Sequence, residues 1–464
     1  MQDSYDVIVI GAGPVGENAA GRCAKGGLAT LLVERELAGG ECSYWACMPS
    51  KALLRPGAAV AAARRVPGAR EAVTGEVDVD AVLQWRDTVV SNYDDKYQVQ
   101  WVEDNEIDFV RGRARLDGER RVEIETEEGT RTVGARKAVI VATGSKAFIP
   151  PIEGLTEARP WDNRGITEAK EVPRRLLVLG GGVVGVEMAQ AWRRLGSEEV
   201  TIVERGPRLL AMEEPFAGEE LAEALRAEGI KVLTESEVTE VRRPSPDAPL
   251  TARVDGAGAV EADEILVAVG RRPRTDELGL ETIGLEPGKY IEVDDRLLAT
   301  KVPGDWLYAA GDVNGRALLT HMGKYQAKVA ADRILGKEAD AGPGLAATTR
   351  VVFTDPQIAA VGPTEKKARD AGLDVRTVSV GTGDVAGATV SGEDISGTCH
   401  LVIENGRDVI VGATFTGPEV GEMLHAATIA IVGEVPLERL RHAVAAFPTV
   451  SEVWLNLVEK ALDA

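Results

Sequence analysis

Short apolar runs recur along the chain, each closed by glycine and followed by a stretch of helical period. Tyr5-Asp-Val-Ile-Val-Ile10 is the first. A run this apolar suits a strand buried on both faces of a parallel sheet. Gly11-Ala-Gly13-Pro14-Val-Gly16 follows, then alanine-rich helical sequence to about Lys25. A second strand, Ala29 to Val33, ends at Glu34. The pattern then repeats. Arg175 to Leu179 predicts a strand, Gly180-Gly-Gly182-Val-Val-Gly185 a turn, Val186 to Leu195 a helix, and Val200 to Val203 a strand ending at Glu204. Strand, glycine turn, helix, strand and acid in this order form a dinucleotide fingerprint. The glycines permit the tight turn and let a pyrophosphate reach the helix N-terminus, and the acid can accept hydrogen bonds from a ribose.

The rest of the pattern fills in the architecture. Residues 56–80 hold an alanine-rich helix and a polar stretch. Residues 81–104 predict helix, with Trp85, Tyr93, Tyr97 and Trp101 at roughly helical spacing; packing is the default role for these rings. Residues 105–135 alternate like a small antiparallel sheet. Buried strands are expected at Lys137 to Ala142 before Thr143-Gly144, at Glu264 to Val269 before Gly270-Arg271, and at Trp306 to Ala310 before Gly311-Asp312. From about Thr349 strands alternate with helices near 419–432 and 451–461, as in a separate α+β domain. The fold class is α/β, with two Rossmann-like units and a C-terminal α+β domain.

Composition narrows the function. The net charge of −21 argues against nucleic acid or an anionic membrane as the main partner, because phosphate binding needs clustered Lys and Arg. No apolar run is long enough to span a bilayer. The acidic start, leading straight into a strand, is not a signal peptide, and a cytoplasmic location is expected.

Cysteine chemistry changes the picture most. Cys42 and Cys47 are separated by four residues within Gly39-Gly-Glu-Cys-Ser-Tyr-Trp-Ala-Cys-Met-Pro-Ser-Lys51. In a reducing compartment a close pair is catalytic or metal-binding rather than structural. A zinc site normally needs four ligands, and the four histidines are scattered, so redox is preferred and no metal is expected. Cys23 and Cys399 read as buried free cysteines.

These motifs together resemble the pyridine nucleotide-disulfide oxidoreductases, the flavoprotein disulfide reductases that include lipoamide dehydrogenase, glutathione reductase and mercuric reductase. The likeness covers nearly the whole chain. It rests on both glycine motifs, the cysteine segment, Ala142-Thr143-Gly144, Glu187, Gly270-Arg271-Arg272-Pro273, Gly311-Asp312, Val352-Phe353-Thr354-Asp355-Pro356 and Pro448-Thr449-Val450-Ser451-Glu452. The resemblance implies FAD held by Gly11, Gly13, Pro14, Gly16, Glu34, Arg35, Gly40, Thr143, Gly144, Gly311 and Asp312. It implies Lys51 near the flavin and paired with Glu187. It also implies a redox-active Cys42–Cys47 disulfide, with Cys47 nearest the flavin and Cys42 facing substrate. NAD(P)H would lie on Gly180, Gly182, Gly185 and Glu204, and Gly270 and Arg271 would be further cofactor-binding residues. The implied domains are 1–150 and 273–345 for FAD, 151–272 for NAD(P), and 346–464 for the interface of a homodimer. Glu204 favours NADH, since an acid there repels a 2′-phosphate, while Arg205 and Arg208 leave NADPH open.

One departure bears on the reaction. Disulfide-reducing members carry a histidine five residues before the glutamate that Glu452 matches, and that position here is Phe447. Phenylalanine cannot move a proton. Mercuric reductase adds a C-terminal cysteine pair, whereas this chain ends Glu459-Lys-Ala-Leu-Asp-Ala464. The expectation is an NAD(P)H oxidoreductase whose small-molecule acceptor is a quinone, a dye-like molecule, a metal species or an activated disulfide. A low-molecular-weight disulfide reductase that uses Tyr44 or His442 as substitute donor is the alternative, and a nucleotide or redox sensor is a third. Tyr44 and Trp45 could equally narrow access to the disulfide.

Overall fold

A computed structural model describes residues 2–463. The chain divides into two compact units. One comprises the residues up to Pro49, Arg86–Phe148 and Gly270–Leu345; the other comprises Ser50–Trp85, Ile149–Val269 and the residues from Ala346 on.

The first unit is built on a seven-stranded sheet. Asp108–Arg111, Thr30–Glu34, Ser4–Ile10, the end of Gly129–Val141 and Leu307–Ala309 run parallel, in that spatial order. Arg113–Leu116 and Arg121–Thr126 continue it antiparallel. The apolar runs are buried because the sheet has a core on each face. Ile8, Ile10, Leu31 and Val33 pack into one, and Val7, Val9, Leu32 and Ala19 into the other. This alternation is what a period of two residues produces in a strand covered on both sides. Helix Pro14–Lys25 places Ala19, Ala20 and Cys23 against the sheet.

The second unit repeats the plan. Lys231–Leu233, Glu199–Val203, Arg175–Leu179 and Glu264–Val267 form a four-stranded parallel sheet, accompanied by a three-stranded antiparallel sheet. Its C-terminal part is a five-stranded antiparallel sheet covered by helices Val420–Val432 and Val453–Asp463, with Phe415, Leu424 and Leu457 in the core. The α/β class with a C-terminal α+β part is as the sequence predicts.

Three expectations are corrected. The helix expected from residue 56 begins at Cys47 and runs to Arg64, so Cys47 and Lys51 lie one turn apart on it. Residues 81–104 form two helices, Val79–Val89 and Lys96–Asp104, parted by positive-φ residues Ser91, Asn92 and Tyr93. Of the four rings expected to pack there, Tyr93 does so against Tyr44 and Trp45, but Trp85, Tyr97 and Trp101 are exposed. Helical spacing aligns rings on one face whether that face meets a core or solvent.

Candidate active site: two glycine turns and a dithiol

Each glycine motif turns the chain from a buried strand into a helix. At Gly11, with φ of +100°, a Cβ would meet the Ala142 carbonyl oxygen at 2.6 Å. At Gly16 it would meet the Gly11 carbonyl oxygen at 1.8 Å, so the helix approaches the strand end as only glycine allows. The second motif repeats both contacts, at 2.6 Å for Gly180 and 2.0 Å for Gly185. Gly13 and Gly182 are the helix N-caps, and neither helix receives a side-chain cap. Their first N–H groups and the positive end of the helix dipole are therefore available to a phosphate. Glu34 accepts from the Ala12 N–H at 2.7 Å and Glu204 from the Gly181 N–H at 2.7 Å, which orients both acids across their turns.

Around the first turn the residues fit a flavin nucleotide. Gly40, at φ of +58°, lies close to Gly13: a Cβ there would meet the Gly13 Cα at 2.8 Å, which keeps a narrow cleft free of side chains. Thr143 donates to the Arg274 carbonyl at 2.9 Å, and Arg274 ties Glu41 at 2.7 Å. Asp312 accepts from the Ser145 hydroxyl at 2.5 Å, and Arg271 donates to the same hydroxyl at 2.7 Å. Burial pushes the Asp312 carboxyl up, opposed by Ser145 and Arg271. Arg271 thus sits beside Asp312. The Gly311 N–H is held by Gln326, whose Nε2 is buried with no partner among the described residues and remains a donor for a bound group.

Cys42 lies on the short helix Gly40–Tyr44, and Cys47 opens the helix Cys47–Arg64. Both are free thiols here. The Cys42 thiol is pushed up, first by its hydrogen bond to Cys47, then by burial, while Thr320 and Lys324 pull it down. Cys47 Sγ is 3.4 Å from Thr320 Oγ1. Thr320 is the first residue of the 15-residue helix Thr320–Ile334, whose N-terminus favours negative charge on sulfur. Sequence reading missed Thr320 and Ser145, because neither lies in a spaced motif with its partner.

Tyr44 is buried, and its hydroxyl donates to the Ala38 carbonyl at 3.0 Å. Burial, then Asp95, push that hydroxyl well above the ordinary phenol range. It packs with Trp45 and Tyr93 and is a core residue, which argues against Tyr44 as the substitute proton donor.

In the second unit Lys51 Nζ is 2.6 Å from Glu187 Oε2 and 4.9 Å from the centre of the Phe353 ring. The other Glu187 oxygen accepts from the Phe353 N–H at 2.9 Å. Glu187 is 2% exposed, so its charge depends on these partners. Lys51→Met is expected to destabilise by about 2–3 kcal/mol, below the value for a fully buried pair because Lys51 is partly exposed. Lys51→Met/Glu187→Leu should recover most of that loss. Denaturant unfolding of both variants and Glu187→Leu closes the cycle; additive losses would contradict it.

Arg208 donates to the carbonyls of Leu209, Leu210, Ala211 and Glu213 at 2.9–3.4 Å. It organises the loop after Glu204 and is spent there, whereas Arg205 is exposed. Glu452 caps its own turn: its carboxylate accepts from the Thr449 N–H at 3.3 Å and the Gly387 N–H at 3.4 Å. Phe447 is 77% exposed in the protomer, and His442 is exposed as well. Among the described residues no cluster of His, Cys, Asp and Glu could hold a metal ion, and no helix is long and apolar enough to cross a membrane.

Two dinucleotide folds and a close thiol pair define a redox enzyme of the flavoprotein class. Residues 5–331 match the pyridine nucleotide-disulphide oxidoreductase model, and residues 348–458 match the dimerisation domain of the same family. The chain belongs to the pyridine nucleotide-disulphide oxidoreductase family. It is 35% identical over 463 residues to dihydrolipoyl dehydrogenase of Thermus scotoductus, covering 98% of this chain and 97% of that one. It is 31% identical to mercuric reductase of Staphylococcus aureus, over 97% of this chain and 81% of the relative. Among solved structures it is similar to the Cu(II) complex of the HOCl-induced flavoprotein disulfide reductase RclA from Escherichia coli. That match has a TM-score of 0.86 and 25% identity, over 99% of this chain and 100% of that one. The protein is therefore an FAD-dependent oxidoreductase that uses a pyridine nucleotide and has a disulfide redox centre, and its dimerisation domain supports a homodimer.

Proposed function

We propose that this chain oxidises NADH and passes the electrons to an acceptor that needs no proton delivered to a departing thiolate: a quinone, a dye-like molecule, a metal ion or an activated disulfide. The observation that carries this reading is Phe447, exposed and unable to move a proton at the position five residues before Glu452. Positioned proton transfer typically contributes about 10²–10⁴ in rate, and its loss falls hardest on disulfides whose thiols have high pKa values.

FAD, when bound, supplies a carrier that accepts two electrons from the nicotinamide. Gly11, Gly13, Pro14, Gly16, Glu34, Arg35, Gly40, Thr143, Gly144, Gly311 and Asp312 would hold it. Gly180, Gly182, Gly185 and Glu204 would serve the pyridine nucleotide. Lys51, fixed by Glu187, is the positive charge available to favour an electron-rich cofactor. The Cys42–Cys47 disulfide takes two electrons and two protons to become the dithiol. A disulfide acceptor exchanges with the dithiol, taking its two electrons and two protons as the Cys42–Cys47 S–S bond re-forms, whereas a quinone would take two electrons and two protons without passing through the pair. A cytoplasmic setting, where such thiols are kept reduced, is part of this reading.

The test is steady-state turnover of the FAD-loaded enzyme with a quinone, an aromatic disulfide, Cu(II), lipoamide and oxidised low-molecular-weight thiols. Quinone or aromatic disulfide turnover is expected to exceed lipoamide turnover by about 10² or more. High turnover on lipoamide would overturn the reading. A second reading, a lipoamide dehydrogenase-like enzyme, is favoured by the 35% identity to dihydrolipoyl dehydrogenase. With Tyr44 committed to a backbone carbonyl, it rests on His442. A bell-shaped pH profile for lipoamide that disappears in His442→Ala would establish it.

NADH is the proposed donor. Glu204 spans its turn, its oxygens accepting from the Gly181 and Gly206 N–H groups, and Arg208 is occupied, which leaves Arg205 as the nearby cation for a 2′-phosphate. The kcat/KM for NADH is expected to exceed that for NADPH by about tenfold or more. A preference for NADPH would reverse the assignment.

A further inference from the structure

A groove of about 650 Å³ lies on the face of helix Pro14–Lys25 that points away from the sheet. Its residues come from that helix, from Lys96–Asp104 and from the end of Thr320–Ile334 with the residues after it. None of them belongs to the glycine turns, the thiol pair or Asp312.

Three properties of the groove constrain what it can bind. It is cationic in a chain of net charge −21. Arg22, Lys25, Lys328 and Lys337 line it. Arg22 and Lys337 share Asp332, the latter at 3.0 Å, while Lys25 and Lys328 have no ion pair among the described residues. Such a local excess of positive charge attracts an anion.

It is also aromatic. Tyr97 is 67% exposed and Trp101 is 38% exposed, an unusual condition for large rings on one short helix. Trp101 is set by Gly21: a Cβ there would meet Trp101 Cη2 at 2.8 Å. The missing side chain lets the indole lie against the helix and leaves its remaining surface open to a flat ligand.

Third, the groove holds acceptors that lack donors. Glu17 Oε1 and Gln98 Oε1 are both buried without a hydrogen-bond partner among the described residues. Buried acceptors left unmatched are costly, and a ligand carrying N–H or O–H groups would match them. Burial pushes the Glu17 carboxyl up to about 7, with Lys324 pulling it down, so it need not repel an anion at neutral pH.

We propose that this groove is a binding site for a nucleoside phosphate, separate from both dinucleotide sites. The base lies on Trp101 and Tyr97, the phosphate meets Lys25 and Lys328, and ribose hydroxyls or the base amine donate to Glu17 and Gln98. Inorganic phosphate lacks the flat surface and the N–H donors, and an aromatic carboxylate lacks the donors. A nucleoside monophosphate carries all three features.

The test is calorimetric titration of AMP into the full-length, FAD-loaded protein held saturated with NAD⁺, so that both dinucleotide sites are filled. One AMP per protomer is expected to bind. Lys25→Glu, a change at an exposed position, and Trp101→Ala should each weaken AMP about tenfold or more with NAD⁺ affinity unchanged, and Lys25→Glu should leave the melting temperature unchanged as well. The proposal is overturned if AMP gives no saturable binding beside NAD⁺. It is also overturned if the Lys25→Glu protein binds AMP as the parent does, or if inorganic phosphate binds as tightly as AMP.

Discussion

Cys47→Ser is expected to reduce turnover on every disulfide acceptor to background, a fall on the order of 10³ or more, while quinone turnover changes by no more than a factor of a few. The argument is one of bonds. Electrons can be stored on this pair only by opening an S–S bond, and a serine oxygen cannot form one with Cys42. Nor can it replace the sulfur at the start of helix Cys47–Arg64, where Sγ lies 3.4 Å from the Thr320 hydroxyl and faces the N-terminus of Thr320–Ile334. A thiolate there is favoured by the helix dipole; an alcohol at neutral pH gains nothing from it. Cys42→Ser should have the same effect on disulfides, because Cys42 is the thiol assigned to attack the acceptor. Its raised pKa adds a pH signature. Attack needs the thiolate, and a thiol held protonated by its hydrogen bond to Cys47 and by burial yields more of it as pH rises. Turnover on an activated disulfide should therefore climb roughly tenfold per pH unit through the ordinary thiol range near 8.5, without levelling there. Disulfide turnover that survives in Cys47→Ser would remove the pair from the reaction.

Much of the fold was legible because two signals agreed. An apolar run closed by glycine and followed by helical period is readable without any partner element, and it occurs at both Gly11 and Gly180. The cysteine segment was legible for the same reason, since all its chemistry lies within a few residues. What escaped was whatever depends on chain segments far apart. Thr320 reaches Cys47 across 273 residues. Arg208 looked like a phosphate ligand because a sequence shows its charge and not the four carbonyls around it. Tyr44 stayed open between a proton donor and a barrier to the disulfide because its burial and its bond to Ala38 are tertiary facts. The start of helix Cys47–Arg64 was hidden by Pro49, a residue that helices tolerate in their first turn. Tyr97 and Trp101 were assigned to a core on spacing alone, and spacing does not distinguish a core face from a groove.

Phe447→His is expected to raise turnover on lipoamide by about 10²-fold, with quinone turnover unchanged. Position 447 is exposed in the protomer, so exchanging the ring there opens no cavity and should cost little stability. The expected partner for the new imidazole is Glu452, whose carboxylate is already held. Glu452 is held by the N–H groups of Thr449 and Gly387, and it stands five residues after the new histidine. A carboxylate so held would orient an imidazole and favour its protonated form, raising its pKa above the ordinary value of about 6.5. That form would hand a proton to the departing thiolate, the step that the proposed function takes to be missing in the parent chain. The gained activity should therefore be lost as pH rises through the histidine pKa, a limb absent from the parent. Phe447→Ala, which removes the ring without supplying a proton donor, should show no gain. Phe447→His/Glu452→Gln should lose most of it. If Phe447→His folds with the parent melting temperature and lipoamide turnover stays where it was, the missing proton donor is not what limits this enzyme on disulfides, and the preference for other acceptors must come from elsewhere in the site.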